Sequence, residues 1–216
     1  PVTYRARRTL PFRTSNFRRP EMDNEPPVII SSKKAIKIGD SDQLWGFYSQ
    51  RFRNIQQVAC KLMAKIWIHF LMPKGVAFPL GILARDIGAP DWWPKPWGPT
   101  EKDKVRYTAT DHLLKKERVH LLAHILRLII EPRASQHPDI QMLSLDIAKL
   151  EEHTMQALSG FFNDVANVNL VKKKVYLKEI FKVARWEEMY KGGEIDANTE
   201  IYVMADGIIP EDDEAD

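Results

Sequence analysis

The chain has 216 residues and a mass of 25.0 kDa, the size of one ordinary domain with room for tails. Apolar residues make up 44% and charged residues 28%, a core-forming composition that excludes a wholly disordered chain. The single cysteine, Cys60, excludes an internal disulfide framework and any zinc site that needs two thiolates. No apolar run reaches the roughly 18 residues of a membrane span, and residues 1–20 are Arg-rich without the apolar core of a secretory signal. No membrane partner is expected.

The net charge of +3 conceals a strong asymmetry. Residues 1–38 hold nine basic and three acidic side chains, whereas residues 194–216 hold nine acidic and no basic ones. Opposed charge blocks of this kind mark interaction tails. In the basic arm, Pro20, Pro26 and Pro27 break any helix, and Val28-Ile29-Ile30 suggests a short extended piece. Its arginines (Arg5, Arg7, Arg8, Arg13, Arg18 and Arg19) suit phosphates, an acidic protein, or the chain's own acidic tail. Protein partners are expected through these charged termini.

A long helix over 42–71 follows, with Asp40 to Asp42 at its start. Leu44, Tyr48, Ile55, Val58, Leu62, Ile66 and Phe70 recur at helical spacing, and Pro73 and Gly75 end it. Residues 73–110 then break the pattern. Six of the fourteen prolines lie between Pro73 and Pro99, with Trp92, Trp93 and Trp97 among them. So long a connection inside a compact domain is unusual. Its tryptophans suit packing on the bundle or binding, and residues 76–87 suggest a short helix.

A second helix starts near Thr110 and stops at Pro132, with Leu113, Leu121, Leu122, Ile125, Leu126 and Ile129 on one broad face. A third runs from Pro138 and Asp139 to about Phe162. A fourth runs from about Asp164 to Tyr190, with a break possible near 163–169, and is closed by Gly192-Gly193. No internal repeat and no strand alternation of useful length is present. The fold class expected is all-α: a bundle of about four long helices over 39–193, with irregular charged ends at 1–38 and 194–216.

No catalytic constellation is complete. His120 and His124 share a helix face at a spacing able to hold a metal. Leu121 stands where a helical metalloprotease motif needs Glu, and His112 and His153 are no more than guesses for a third ligand. No metal is therefore assigned. No Gly-rich phosphate loop appears, and Ser159-Gly160 lacks the nucleophile-elbow glycine. Cys60 reads as a small buried hydrophobe. Glu151-Glu152 and Glu187-Glu188 are consecutive and point to different helix sides. No enzyme activity and no cofactor are expected.

The basic and aromatic signal is better. Lys102, Lys104 and Arg106 follow the Trp segment, and Lys115, Lys116 and Arg118 open the second helix. A helix start favours phosphate through its free amides and dipole. Trp92, Trp93 and Trp97 would line or shape that surface, and exposed rings stack on bases. Lys172-Lys173-Lys174 is a second basic run. Against this stands the simpler reading that Trp92 and Trp93 pack in the core and the lysines only keep the bundle soluble.

Three blocks are distinctive: Ala89-Pro90-Asp91-Trp92-Trp93-Pro94, Ala109 to Arg118, and Leu121 to Arg127, preceded by Cys60 to Ile68. Together they resemble the fungal helical-bundle family of unknown function that includes the subtelomeric hrmA-associated cluster protein. The resemblance covers residues 44–128. Ala109-Thr110 stands where that family's pattern has Glu-Pro, which marks a diverged member. Trp92-Trp93-Pro94 and the helix from Asp111 are also distantly similar to the DNA-binding domain of plant ethylene-insensitive transcription factors, an all-helical domain that binds DNA through basic residues near this segment. The resemblances imply a non-catalytic, nuclear, DNA- or chromatin-associated regulatory factor of fungi. Its phosphate contacts would be Lys102, Lys104, Arg106, Lys115, Lys116 and Arg118. The alternative is a protein-interaction scaffold subunit of a larger nuclear assembly.

Overall fold

A computed structural model describes residues 33–72, 88–163 and 168–205, the last segment without the side chains of 168–172. The arm arginines, Val28-Ile29-Ile30, the short helix expected over 76–87, the Lys172 side chain and the acidic run Glu211 to Glu214 lie outside the described residues.

The described chain is mostly helical, as expected, but the helices are more finely divided than their periodicity suggests. The first expected helix is two: α1 (Ser41–Asn54) and α2 (Gln57–Leu71). Asp40 caps α1 by accepting from the Gln43 N–H at 3.0 Å. Ile55 then turns extended, with ψ 142°, and buries its side chain. The Cys60 thiol lies 3.4 Å from the carbonyl of Phe52, one of the last carbonyls of α1. Its apolar surroundings match the buried role expected of it. Apolar spacing continues across the joint, so periodicity alone runs the two helices together.

The second expected helix begins later, at α3 (Lys115–Ile130), after a 3-10 turn at Thr110–His112. The Glu117 carboxylate caps its start by accepting from the Leu114 N–H at 2.7 Å. The third divides into α4 (Pro138–Leu143), α5 (Ile147–Ala157) and α6 (Ser159–Phe162). Ser144 adopts a left-handed φ of 48°, and Asp146 restarts the helix by accepting from the Lys149 N–H at 2.8 Å. Here local capping chemistry overrides the apolar pattern. The fourth, α7 (Val168–Lys191), ends at Gly193 with φ +80°, as its glycines predict.

Two strands correct the expectation of irregular ends. β1 (Lys33–Lys37) and β2 (Glu200–Met204) pair antiparallel, with Lys33 opposite Met204 and Lys37 opposite Glu200. Ile36, Ile201 and Val203 face the core, as does Ile38 beyond β1. Gly39 follows at a close approach: a Cβ there would stand 2.6 Å from the Cβ of Ala197. The folded unit therefore reaches beyond 39–193 at both ends. Each alternation is only about five residues long, too short to register against helical neighbours.

α3 is the central helix, packed by α1, α2, α5 and α7. Trp67 is fully buried on α2, and its indole N–H donates to the Thr154 hydroxyl of α5 at 2.8 Å. No described helix is long and apolar enough to cross a membrane.

The sheet is fastened to the helices by one buried cation. Arg51 on α1 is 1% exposed; its Nε donates to Glu179 of α7 at 2.9 Å, and its guanidinium also donates to the Met204 carbonyl. The Met204 N–H donates to the same Glu179 carboxylate at 2.7 Å. The rings of Phe47 and Tyr176 lie 5.1 and 5.3 Å from the guanidinium. Removing one partner of a buried ion pair strands the other in low dielectric. Glu179→Ala is expected to cost about 3 kcal/mol in urea unfolding. A loss below about 0.5 kcal/mol would show that the pair does not hold the sheet.

Candidate nucleic-acid interface

The Trp-Trp-Pro segment is structural. Trp92 is 4% and Trp93 is 7% exposed. The Trp93 indole N–H donates to the Val105 carbonyl at 3.0 Å, and its ring meets Tyr107 edge-on at 5.0 Å. The Trp92 carbonyl lies 2.7 Å from His124 Nε2. A carbonyl only accepts, so the neutral His124 carries its proton on Nε2. These bonds fold the long connection down onto α3. The expectation that Trp92 and Trp93 line a binding surface is corrected: their apolar area is worth more against the core than in water.

Of the six expected phosphate contacts, Arg118 is turned inward, and Arg106 is engaged by a carboxylate although its side chain stays 47% exposed. Arg118 is 4% exposed and donates to Gln57 Oε1 at 2.8 Å and to the Leu113 carbonyl at 2.6 Å. Arg106 makes a two-pronged pair with Glu117, at 2.7 Å from Nε and 2.6 Å from its terminal nitrogen, and also donates to the His112 carbonyl. Glu117 is 2% exposed. Burial raises its pKa, but the Arg106 side chain and the backbone N–H groups of Leu114 and Arg106 outweigh that and hold it below the usual range. This joint fastens the connection to the start of α3. Lys104 is mostly covered and pairs with Glu101 at 3.0 Å.

Trp97, Lys102, Lys115 and Lys116 remain on the outside. Trp97 is 40% exposed. Lys102 and Lys116 are exposed and Lys115 is half-buried. Lys116 Nζ donates to the Lys102 carbonyl at 2.7 Å and lies 6.0 Å from the centre of the Trp97 ring. The other neighbours of this ring extend the surface. Trp97 packs on the His120 imidazole, tilted from it by 31° with centres 4.3 Å apart, and Trp45 of α1 meets that imidazole edge-on at 5.0 Å. Arg127 lies 5.4 Å from the Trp45 ring and donates to the Ser41 hydroxyl at 2.6 Å. Lys116, His120 and Arg127 are four and seven residues apart and so share one face of α3. A half-exposed stripe of alternating cations and rings results. Sequence reasoning missed Trp45 and Arg127, because nothing local connects α1 to that face.

His120 and His124 do not form a metal site in this arrangement. His124 is engaged by Trp92, His120 is held between two rings, and His153 packs against Phe70 at 4.7 Å. Among the described residues, no group of three or more His, Cys, Asp or Glu side chains is placed to hold a metal ion. The second lysine run is likewise engaged in part, since Lys174 lies 5.8 Å from the Phe162 ring.

A family model for the YDR124W-like helical bundle domain matches residues 32–203. The chain belongs to this family. The match begins one residue before β1 and ends within β2, so it takes in both strands and is wider than the 44–128 covered by the motifs. Within the YDR124W-like family, the chain is similar to the subtelomeric hrmA-associated cluster protein of Aspergillus fumigatus, with 26% identity over 196 residues. That alignment takes in 78% of this chain and 31% of the relative, so the chain spans about a third of the relative's length. No solved structure matches the chain.

Burial, and then the neighbouring His124, lowers the His120 pKa from 6.5 to about 4. The unfolded chain therefore binds more protons than the folded one between these values. Stability present above pH 6.5 is lost as pH falls toward 4. His120→Phe is expected to keep the ring contact and flatten this part of the stability profile. A proton NMR titration placing the His120 midpoint above about 6 would contradict the burial described.

Proposed function

We propose that this chain is a non-catalytic, DNA- or chromatin-associated regulatory module of a fungal nuclear protein. It contacts nucleic acid through Trp97 and the lysines around it. The observation that carries the reading is the exposed Trp97 ring, backed by His120 and flanked by Lys116, whose ammonium also meets the Lys102 backbone. A ring already packed on one side loses little freedom when a base or sugar packs on its open face. Cations at its rim supply the phosphate attraction, which is non-specific and salt-dependent. The burial of Arg118 and the engagement of Arg106 by Glu117 and of Lys104 by Glu101 narrow the contact set to Lys102, Lys115 and Lys116, with Arg127 at the far end of the stripe. The distant similarity to a plant DNA-binding domain agrees with this reading, although it was carried by Trp92 and Trp93, which here serve the core.

The Aspergillus relative is named for a gene cluster, and its name specifies no ligand. Because the chain spans about a third of that relative, a scaffold role inside a larger nuclear assembly is the second reading. A defined protein complex that survives nuclease treatment would favour it.

Binding to short DNA duplexes and single strands across a salt series distinguishes the two kinds of cation. Lys102→Ala, Lys115→Ala and Lys116→Ala are each expected to weaken binding to all sequences and lower the salt slope by about one. Trp97→Ala is expected to weaken binding to single strands most, by about 1–3 kcal/mol. Arg106→Ala and Arg118→Ala are expected to lower stability instead. Unchanged affinity in both Trp97→Ala and Lys116→Ala would overturn the reading.

A further inference from the structure

The loop that presents Trp97 is closed by one carboxylate. Asp103 accepts from the Thr100 hydroxyl at 2.6 Å and from the Thr100 N–H at 3.2 Å. The Asp103 N–H donates to the Thr100 carbonyl at 2.9 Å, and the Asp103 carbonyl accepts from the Trp97 N–H at 2.8 Å. Gly98 lies against the same side chain, where a Cβ would stand 2.8 Å from Asp103 Oδ2. Residues 97–103 are thus tied through Asp103, and the Thr100 hydroxyl makes the shortest of these bonds.

Thr100 is exposed. Glu101 follows it by one position and Asp103 by three, and the Glu101 side chain is 77% exposed. An exposed hydroxyl with carboxylates at these offsets suits an enzyme whose substrate groove is basic, by charge complementarity. Thr108, with Asp111 three residues on, has the same main offset but is half-buried, which makes it an internal comparison.

We infer that Thr100 is a phosphorylation site for an acid-directed Ser/Thr protein kinase, and that the phosphate releases the Trp97 loop. In the reaction Thr100 Oγ1 attacks the γ-phosphorus of ATP. A bond from oxygen to phosphorus forms, the bond from the γ-phosphorus to the bridging oxygen breaks, ADP leaves, and the hydroxyl proton passes to the kinase's base. The product has no O–H to give Asp103. Instead it sets a charge of about −2 against the carboxylate that formerly accepted from it. Two anions cannot keep that contact, so the turn opens. Lys116, whose charge is already felt at Asp103, is drawn from the Trp97 ring toward the phosphate. The consequence for nucleic acid rests on the function proposed above: a phosphate in the basic rim repels another phosphate and occupies its cations.

The test treats the full chain with an acid-directed kinase and ATP and maps the phosphate by mass spectrometry. Phosphate is expected at Thr100, retained in Thr100→Ser and absent from Thr100→Ala, with little at Thr108. Quenching by iodide, taken as the difference between the wild-type chain and Trp97→Phe, is expected to report a more accessible Trp97 after phosphorylation. No phosphate at Thr100, or phosphate there with unchanged Trp97 quenching, overturns the inference. Neither readout involves nucleic acid, so their failure is separate from failure of the binding reading. If both hold, phosphorylation is expected to weaken DNA binding about tenfold at moderate salt. Unchanged affinity would then count against the DNA reading and not against the switch.

Discussion

The architecture depends on a cation taken out of water. Arg51 lies in the interior of the described fold, and its compensation comes from Glu179 and the Met204 carbonyl, 128 and 153 positions away. Those partners are not optional, because an isolated guanidinium in low dielectric is strongly disfavoured. The last strand must therefore come back to α1 and α7, and β1 is brought alongside it. The value of such a pair lies less in net stability than in its intolerance of alternatives. A slipped β2 would move the Met204 carbonyl and N–H away from Arg51 and Glu179, leaving a buried charge unmet.

A second polar joint does the same for the long connection. Arg106 and Glu117 pin the segment after the Trp-Trp-Pro turn to the first turn of α3, and His124 holds its beginning through Trp92. Between these anchors the chain projects Trp97 outward. One helix therefore has two duties. Its broad apolar face forms the middle of the core, and its narrow remaining face carries Lys116, His120 and Arg127 beside two tryptophan rings. Side chains on the outer face of such a helix are held by the packing beneath them, which limits their conformational freedom.

The charged and aromatic residues of the connection were visible as a cluster, but their division into inner and outer was not. Arg106 and Lys102 look alike in a sequence. Both reach solvent, and only the buried Glu117 carboxylate that Arg106 pairs with separates them. The same holds for tryptophan. Trp92 and Trp93 pack into the core, where the Trp93 indole finds the Val105 carbonyl, so burial wins. Trp97 is held at the surface by its N–H bond to the Asp103 carbonyl, and its ring closes on His120 instead. The helix starts and stops were legible where a proline, a glycine pair or an Asp cap stands. They were not legible at Ile55 or Ser144, where apolar spacing continues across a break.

What the sequence determined by itself was the helical bundle, the approximate site of each helix, the punctuated connection and the opposed charge of the two ends. These follow from periodicity, capping and composition, which act over a few residues. The tertiary structure alone decided that residues near both ends pair as strands, that Trp45 and Arg127 join Trp97 and Lys116 on one surface, and which cations are paired or buried. Each of these depends on groups far apart in the chain meeting a burial or pairing requirement, and no local pattern encodes where that requirement will be met.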